Sequence, residues 1–286
     1  MMLPALVDIG ANLTNRCFQR DLPAVLQRAK DAGVQKIMVT GTSLRASRDA
    51  LKLARAHPGV LFSTAGIHPH DAKSWTDESL QELEKLAAGP ECVAVGECGL
   101  DFNRNFSPQE QQKQVLERQV ELACRLCKPL FLHEREAHQA LVEILSRHQA
   151  SLPPVVVHCF TGTAEEARVY LDMGFYIGLT GYLCKDKRPN GVPWMLQQGL
   201  IPLDRLMVES DAPYMYPNIR KLPKETQETM ATFSLNMETF QHCSYKRNEP
   251  CSVAVTAAVI AACMGVGPDV VAQATTENAT KVFSLA

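Results

Sequence analysis

The sequence predicts an α/β protein built as one eight-fold β/α barrel, with its working face at the carboxyl ends of the strands. Three observations carry that expectation. Eight short, β-branched apolar runs recur along the chain, helical patterns fall between them, and 286 residues is the length of a single closed barrel. The runs are residues 6–9, 36–40, 61–67, 93–97, 130–133, 155–160, 176–180 and 206–211. Most are continuously apolar and do not alternate, as strands covered on both faces must be. Amphipathic stretches at 22–32, 44–56, 109–127, 136–148 and 164–173 supply helices between them. The rival architecture, an open doubly wound sheet, usually places a glycine-rich phosphate loop after its first strand. Here that position reads Asp8-Ile9-Gly10-Ala11-Asn12, without G-x-G-x-x-G. Residues 1–286 are therefore read as one domain, with a polar, proline-containing insertion at about 214–250 and closing helices from Ser252 onward.

Composition narrows the function. Hydrophobic residues make up 46% of the chain, enough for a large core and too many for disorder. A net charge of −2 excludes a basic coat that wraps nucleic acid, so any phosphate must be met by a local cluster. No run approaches the roughly 20 apolar residues that cross a bilayer, and the start MMLPALVDIGANL lacks a basic signal-peptide region. No membrane contact and no obligate protein partner are implied. Ten cysteines without a secretory signal are expected to be reduced thiols in a cytoplasmic setting, or a nuclear one in a eukaryote. Cys124 and Cys127 form a C-x-x-C, but no second pair has ligand spacing, so helix packing is expected of them.

Chemistry-bearing side chains sit where a barrel would use them. Glu97 ends VAVGE, His133 ends PLFLH, His158 ends VVVH, Asp211 ends LMVESD, and His68 follows STAGI. One histidine in an apolar run is ordinarily hydrogen-bonded core. Five such groups on separate strands converge on one mouth if the barrel closes, and burying the carboxylates unpaired there would be costly. A divalent ion resolves that cost, because carboxylates and neutral imidazoles are good ligands for Zn²⁺ or Mn²⁺. Strand alternation would then point Cys98 and Cys159 toward the helices.

The segments DIGANLT (8–14), STAGIHPHD (63–71), VAVGECGLDFNRNFS (93–107), FLHEREAH (131–138), VVHCFTGT (156–163), YIGLTGYLC (176–184), ESDAPY (209–214) and RNEP (247–250) resemble the TatD-type deoxyribonucleases, in order and almost end to end. The resemblance implies a TIM barrel of the metal-dependent hydrolase type, acting as a 3′→5′ exonuclease on DNA, with RNA as a further option; the near-neutral charge and the aromatics in the loops point to strand ends and a preference for single strands. It implies Mg²⁺ or a similar ion, with up to two ions bound. It also implies that Glu97, His133, His158 and Asp211 are metal ligands, Glu97 bridging two ions, with His68 beside the centre. Many relatives carry His-x-His after the first strand, where this chain has Gly10 and Asn12. The ion that relies on that strand is expected to bind weakly, and Gly10→His with Asn12→His to tighten it if the pocket has room.

For phosphodiester cleavage Asp211 is the candidate general base, with Glu97 in the catalytic centre and His68 a donor to the phosphate or leaving group. Arg135, on the same face of the chain as His133, can fork onto a phosphate, and Asn12 and Arg247 are further expected substrate contacts. Lys185, Lys187, Arg188 and Lys246, with Phe102, Phe106, Tyr182, Tyr214 and Tyr216, fall in loops expected at the mouth, where aromatic rings can stack unpaired bases. Other hydrolyses, of amides, lactones or phosphotriesters, use the same scaffold and donors. A non-catalytic, partner-binding barrel is the remaining reading, disfavoured by the intact donor set.

Overall fold

The computed structural model describes residues 5–285. Its strands are β1 (Leu6–Ala11), β2 (Val34–Val39), β3 (Leu61–Ala65), β4 (Cys92–Asp101), β5 (Leu130–Arg135), β6 (Val155–Val157), β7 (Tyr176–Leu179) and β8 (Leu206–Val208). They pair in sequence order, every neighbour parallel. The helices are α1 (Leu22–Asp31), α2 (Leu44–Ala56), α3 (Asp77–Ala87), α4 (Gln109–Leu126), α5 (His138–Arg147), α6 (Ala164–Asp172), α7 (Val192–Gln197), α8 (Lys224–Ala231), α9 (Met237–Phe240), α10 (Val253–Met264) and α11 (Pro268–Phe283). The chain is thus the eight-fold barrel its apolar runs predict.

Alternation along each strand divides the core into two layers. Ile9, Met38, Phe62, Ala94, Phe131, Val156 and Met207 point inward and fill the barrel. Leu6, Ile37, Leu61, Val95, Leu130, Val155 and Leu206 point outward and pack under the helices. Val282, Phe283 and Leu285 join the inner layer and plug the amino-terminal end, where Lys36 Nζ donates to the Leu285 carbonyl at 2.9 Å. Burying each large apolar side chain this way contributes about 1.5–3 kcal/mol. The opposite end is left for polar groups.

The differences from expectation have local causes. β6 and β8 stop three residues early because Cys159 and Asp211 take left-handed φ values of 46° and 48°, turning the chain into the mouth. Cys98 packs in the outer layer as alternation predicts. Cys159, beyond the end of its strand, does not follow alternation; its thiol lies 3.6 Å from Thr180 Oγ1. β4 runs four residues past Glu97 through a register shift between Gly96 and Cys98, which makes Glu97 the extra residue of a bulge. The helix α3 is absent from the sequence expectations, although Thr76 and Ser79 form a capping box at its start. The segment 214–250 contributes α8 and α9, and α8 packs on α10. That cover explains why α10 is apolar on all sides. Among the described residues no single helix is long and apolar enough to cross a membrane.

The barrel closes between β1 and β8, its least regular seam. The backbone link is a bridge between Ala11 and Ala212, flanked by Asp211 N–H donating to the Gly10 carbonyl at 2.8 Å and Asn12 N–H donating to the Ala212 carbonyl at 2.7 Å. Asp8 adds side-chain bonds: Ser210 donates to its carboxyl from the backbone at 2.9 Å and from Oγ at 2.5 Å. Burial pushes the Asp8 carboxyl up to about 7, against the lowering effect of the Ser210 and Gly10 hydrogen bonds. The folded chain therefore holds a proton that the unfolded chain, with an ordinary carboxyl near 3.8, releases earlier. Stability should fall as pH rises from about 4 to about 7 and level off above. An amide at position 8 still accepts the Ser210 N–H through Oδ1, donates from Nδ2 to Ser210 Oγ, and cannot titrate, so Asp8→Asn should flatten part of that slope. Thermal unfolding of both proteins from pH 5 to pH 8 checks this; parallel slopes would contradict it.

Candidate metal centre

Glu97 is the hub of the mouth. Gly96, at φ 145°, lies so close to Phe131 that a Cβ there would sit 2.3 Å from the Phe131 carbonyl oxygen. Only glycine allows the bulge that turns Glu97 inward. The carboxylate is buried, and three imidazoles surround one of its oxygens. His158 Nε2 lies 2.9 Å from Glu97 Oε1, His68 Nε2 3.2 Å and His133 Nδ1 3.3 Å. Those histidines come from the ends of β6, β3 and β5. The ligand atoms of His68, Glu97 and His133 all lie within 4.8 Å of one another, close enough to share an ion.

Second partners set the role of each ring. His158 Nδ1 lies 3.2 Å from Glu209 Oε2, so the carboxylate aims Nε2 at Glu97. His68 Nδ1 accepts the His70 backbone N–H at 3.1 Å, which places the ring proton on Nε2, facing Glu97. That tautomer makes His68 a hydrogen-bond donor at the centre and a poor metal ligand through Nε2. His133 Nε2 is buried without a hydrogen bond, at 3.5 Å from Asp101 Oδ2, whose firmer partner is His70 Nε2 at 2.7 Å. A buried, unpartnered imidazole nitrogen among carboxylates suits an ion, so the donor set fits the metal that the sequence implies.

The charges are mutually dependent. Burial alone would raise the Glu97 carboxyl, but His158 and His68 outweigh it and hold it well below the usual range. Burial would lower His158, yet Glu97 and Glu209 drive it well above its ordinary value. Burial lowers His68 and keeps it neutral despite Glu97. His133 is raised because Asp101 and Glu97 together overcome its burial. Asp211 is pushed up to about 8 by burial, with the Glu97 and Glu209 charges adding to the rise against His158. Among the described residues its one side-chain hydrogen-bond partner is Asn12 Nδ2, which donates to Oδ1 at 3.1 Å.

The structure thus brings Glu97, His68, His133 and His158 into direct contact and sets Asp211 within their field. Asn12, expected as a substrate contact, instead holds Asp211. Arg247 is a correction. Its guanidinium is committed to Asp21 at 2.7 Å and buried Glu249 at 2.9 Å, and lies 5.0 Å over the Phe18 ring, so it is not free for a phosphate. Arg188 is likewise tied to Asp186 through two nitrogens. Arg135, at the end of β5, has no ion pair or side-chain hydrogen bond among the described residues. The room that Gly10→His would need is occupied. A Cβ on Gly10 would sit 2.4 Å from Glu209 Oε2 and 3.0 Å from Phe131, and one on Gly178 2.7 Å from Glu209 Oε1. Glu209 occupies that room. Sequence reasoning missed Glu209 although it precedes Asp211 by two residues, and missed Asp101, which ends β4 four residues past the expected strand end, and His70, which lies in the loop after β3.

A family model described as TatD related DNase matches residues 7–284. A protein from Erwinia billingiae named 3′-5′ ssDNA/RNA exonuclease TatD is 42% identical over 279 residues, covering 97% of this chain and 98% of its own length. A protein of the same name from Edwardsiella piscicida is 42% identical over 282 residues, covering 98% and 100%. Among solved structures, a TatD-family hydrolase from Entamoeba histolytica matches with a TM-score of 0.84 at 26% identity, covering all of both chains. A TatD homologue from Escherichia coli K12 matches at 0.82 and 29% identity, covering 98% of each. With the same barrel, the same ordered motifs and a match along nearly the whole chain, this protein belongs to the TatD-related DNase family.

Proposed function

We propose that this enzyme is a metal-dependent exonuclease that shortens single-stranded DNA, and RNA, stepwise from the 3′ end. The observation that carries the reading is the Glu97 carboxylate ringed by His68, His133 and His158 at the barrel mouth, in a chain 42% identical to proteins named for that activity. Amide, lactone and phosphotriester hydrolysis share the scaffold, but no residue at this mouth favours them.

Glu97, His133, His158 and Asp211 would hold the ion, for which Mg²⁺ is proposed; the imidazole-rich donor set also suits Mn²⁺ and Zn²⁺. A divalent ion in that place supplies charge neutralisation at the phosphate and acidifies water. Asp211 takes the proton of the attacking water. Its carboxyl is pushed up to about 8 in the metal-free chain, so it can act as a base once its own proton has been lost. Asn12 holds Oδ1, and Oδ2 has no side-chain hydrogen bond among the described residues. His68, neutral with its proton on Nε2, donates to a phosphate oxygen or to the departing oxygen. Arg135, half-buried and unengaged, forks onto the phosphate.

End-labelled single strands test the whole scheme. Products should shorten one nucleotide at a time from the 3′ end, stop in EDTA, and fall about 10³-fold in rate with Glu97→Gln or His158→Ala at unchanged secondary structure. Internal cuts in a circular single strand at a comparable rate, or full activity in EDTA, would overturn the proposal.

Protons give a separate check. At pH 7 the metal-free chain carries them on His158, raised well above its usual value, and on Asp211, raised to about 8. Ligation must expel them, so ion binding at pH 7 should release about two protons, and affinity should rise with pH through neutrality. Calorimetric titration in buffers of different ionisation heat measures this, and no buffer dependence would remove both residues from the ligand set.

In the same titration, Glu209→Gln should weaken ion binding about 10- to 100-fold. A glutamine that keeps its oxygen on the Cys159 N–H, as Glu209 Oε1 does at 2.6 Å, must turn its NH₂ toward His158 Nδ1. That forces the proton onto Nε2, the wrong side of the ring. Unchanged affinity would assign Glu209 to packing alone.

A further inference from the structure

Outside the metal centre, the segment 214–250 builds a cleft of its own. Its cavity of about 520 Å³ is lined by Tyr216, Arg220, Met237, Phe240 and Tyr245 among others, and no carboxylate lines it. Tyr216 stacks on Phe240, with centroids 5.3 Å apart and planes 11° from parallel, and meets Tyr245 edge-on at 5.1 Å. Tyr245 remains 54% exposed, too much for a core aromatic. Two ammonium groups flank its ring, Lys185 Nζ at 6.0 Å and Lys221 Nζ at 5.7 Å from the centroid. Asn218 donates to the Tyr245 hydroxyl and holds the ring in place.

The cleft lies at the same end of the barrel as Glu97. Residues 215–217 press on Gly181, just past β7, where a Cβ would sit 2.2 Å from the Met215 carbonyl oxygen. Lys185 caps the short turn that follows. Tyr216 is five residues beyond Asp211, so their Cα atoms are separated by at most about 18 Å. Stacked bases rise about 3.4 Å each, so at most roughly five nucleotides bridge that gap. Tyr214, 55% exposed, lies on the way.

We propose that this cleft is a second nucleic-acid subsite, in which a base of the single strand, several nucleotides upstream of the 3′ end held at the metal centre, stacks on Tyr245 while Lys185 and Lys221 meet its phosphates. The chemistry is that of single-strand grooves elsewhere: an aromatic face that accepts any base, with cations along the backbone. In a chain of net charge −2, a lining with Arg220 and no acid, beside Lys185 and Lys221 at the Tyr245 ring, is a local arrangement suited to a polyanion. The proposal rests on the nuclease reading for the position of the 3′ end, and its function is to favour long strands over short ones.

The test uses the full chain and two readouts. The first is fluorescence anisotropy of 5′-fluorescein dodecathymidylate in EDTA, which reports binding without hydrolysis. Tyr245→Ala should raise Kd about tenfold, and Tyr245→Phe, which keeps the ring, should stay within twofold of the parent. The second is the KM advantage of the dodecanucleotide over the dinucleotide TpT with metal present. That advantage should shrink in Tyr245→Ala and persist in Tyr245→Phe. An unchanged Kd in Tyr245→Ala, or a loss as large in Tyr245→Phe as in Tyr245→Ala, overturns the subsite. Failure of the nuclease reading shows separately, as no nucleotide released from TpT by the parent.

Discussion

Everything at the mouth depends on closing β8 against β1. β8 is only three residues long, and the backbone alone supplies little to that seam. The Asp8 carboxyl bridges it by taking both donors of Ser210, while Asn248 Nδ2 donates to the Ser210 carbonyl at 3.0 Å from the other side. Ser210 stands between Glu209 and Asp211, so the residue that seals the barrel also fixes two acidic side chains of the centre. Structure and chemistry are therefore carried by one tripeptide. A polar group left unpaired at that depth would cost on the order of 2 kcal/mol or more.

The compensation of buried charge explains the choice of side chains. Glu97, Asp101, Glu209 and Asp211 crowd one end of the barrel, and imidazoles partner three of them. Arginine or lysine would neutralise the carboxylates permanently and exclude a metal. An imidazole can surrender its proton and become a ligand, so the same contacts serve the empty and loaded states. The fixed cations lie further out, on Arg135 and around Tyr245, where a polyanion and not an ion must be met.

Much of this was legible in the sequence, because apolar runs and polar strand ends follow directly from a barrel's burial pattern. The eight strands, most helices, and the convergence of Glu97, His68, His133 and His158 needed no more than that. What stayed hidden depends on irregular backbone or on partners distant in sequence. The bulge at Glu97 breaks the period of two, and the left-handed turns at Cys159 and Asp211 end strands whose apolar pattern continues. Arg247 looked free because Asp21, 226 positions away, meets it only where α1 docks, although its other partner, Glu249, is two residues on. Asn12 lay at the expected place, but its hydrogen bond to a residue 199 positions away carries no local signal.

The room occupied by Glu209 has a consequence for how such a centre can change. Its two oxygens rest against the bare Cα atoms of Gly10 and Gly178, on strands to either side. The three positions form one volume-conserving unit, and substitutions within it are not additive. A side chain gained on the first strand is tolerated only after the carboxylate has withdrawn, and withdrawing it first leaves His158 without its orienting partner. In this chain a double substitution at that corner is therefore expected to differ from the sum of its single changes, because each change alters the room left for the other.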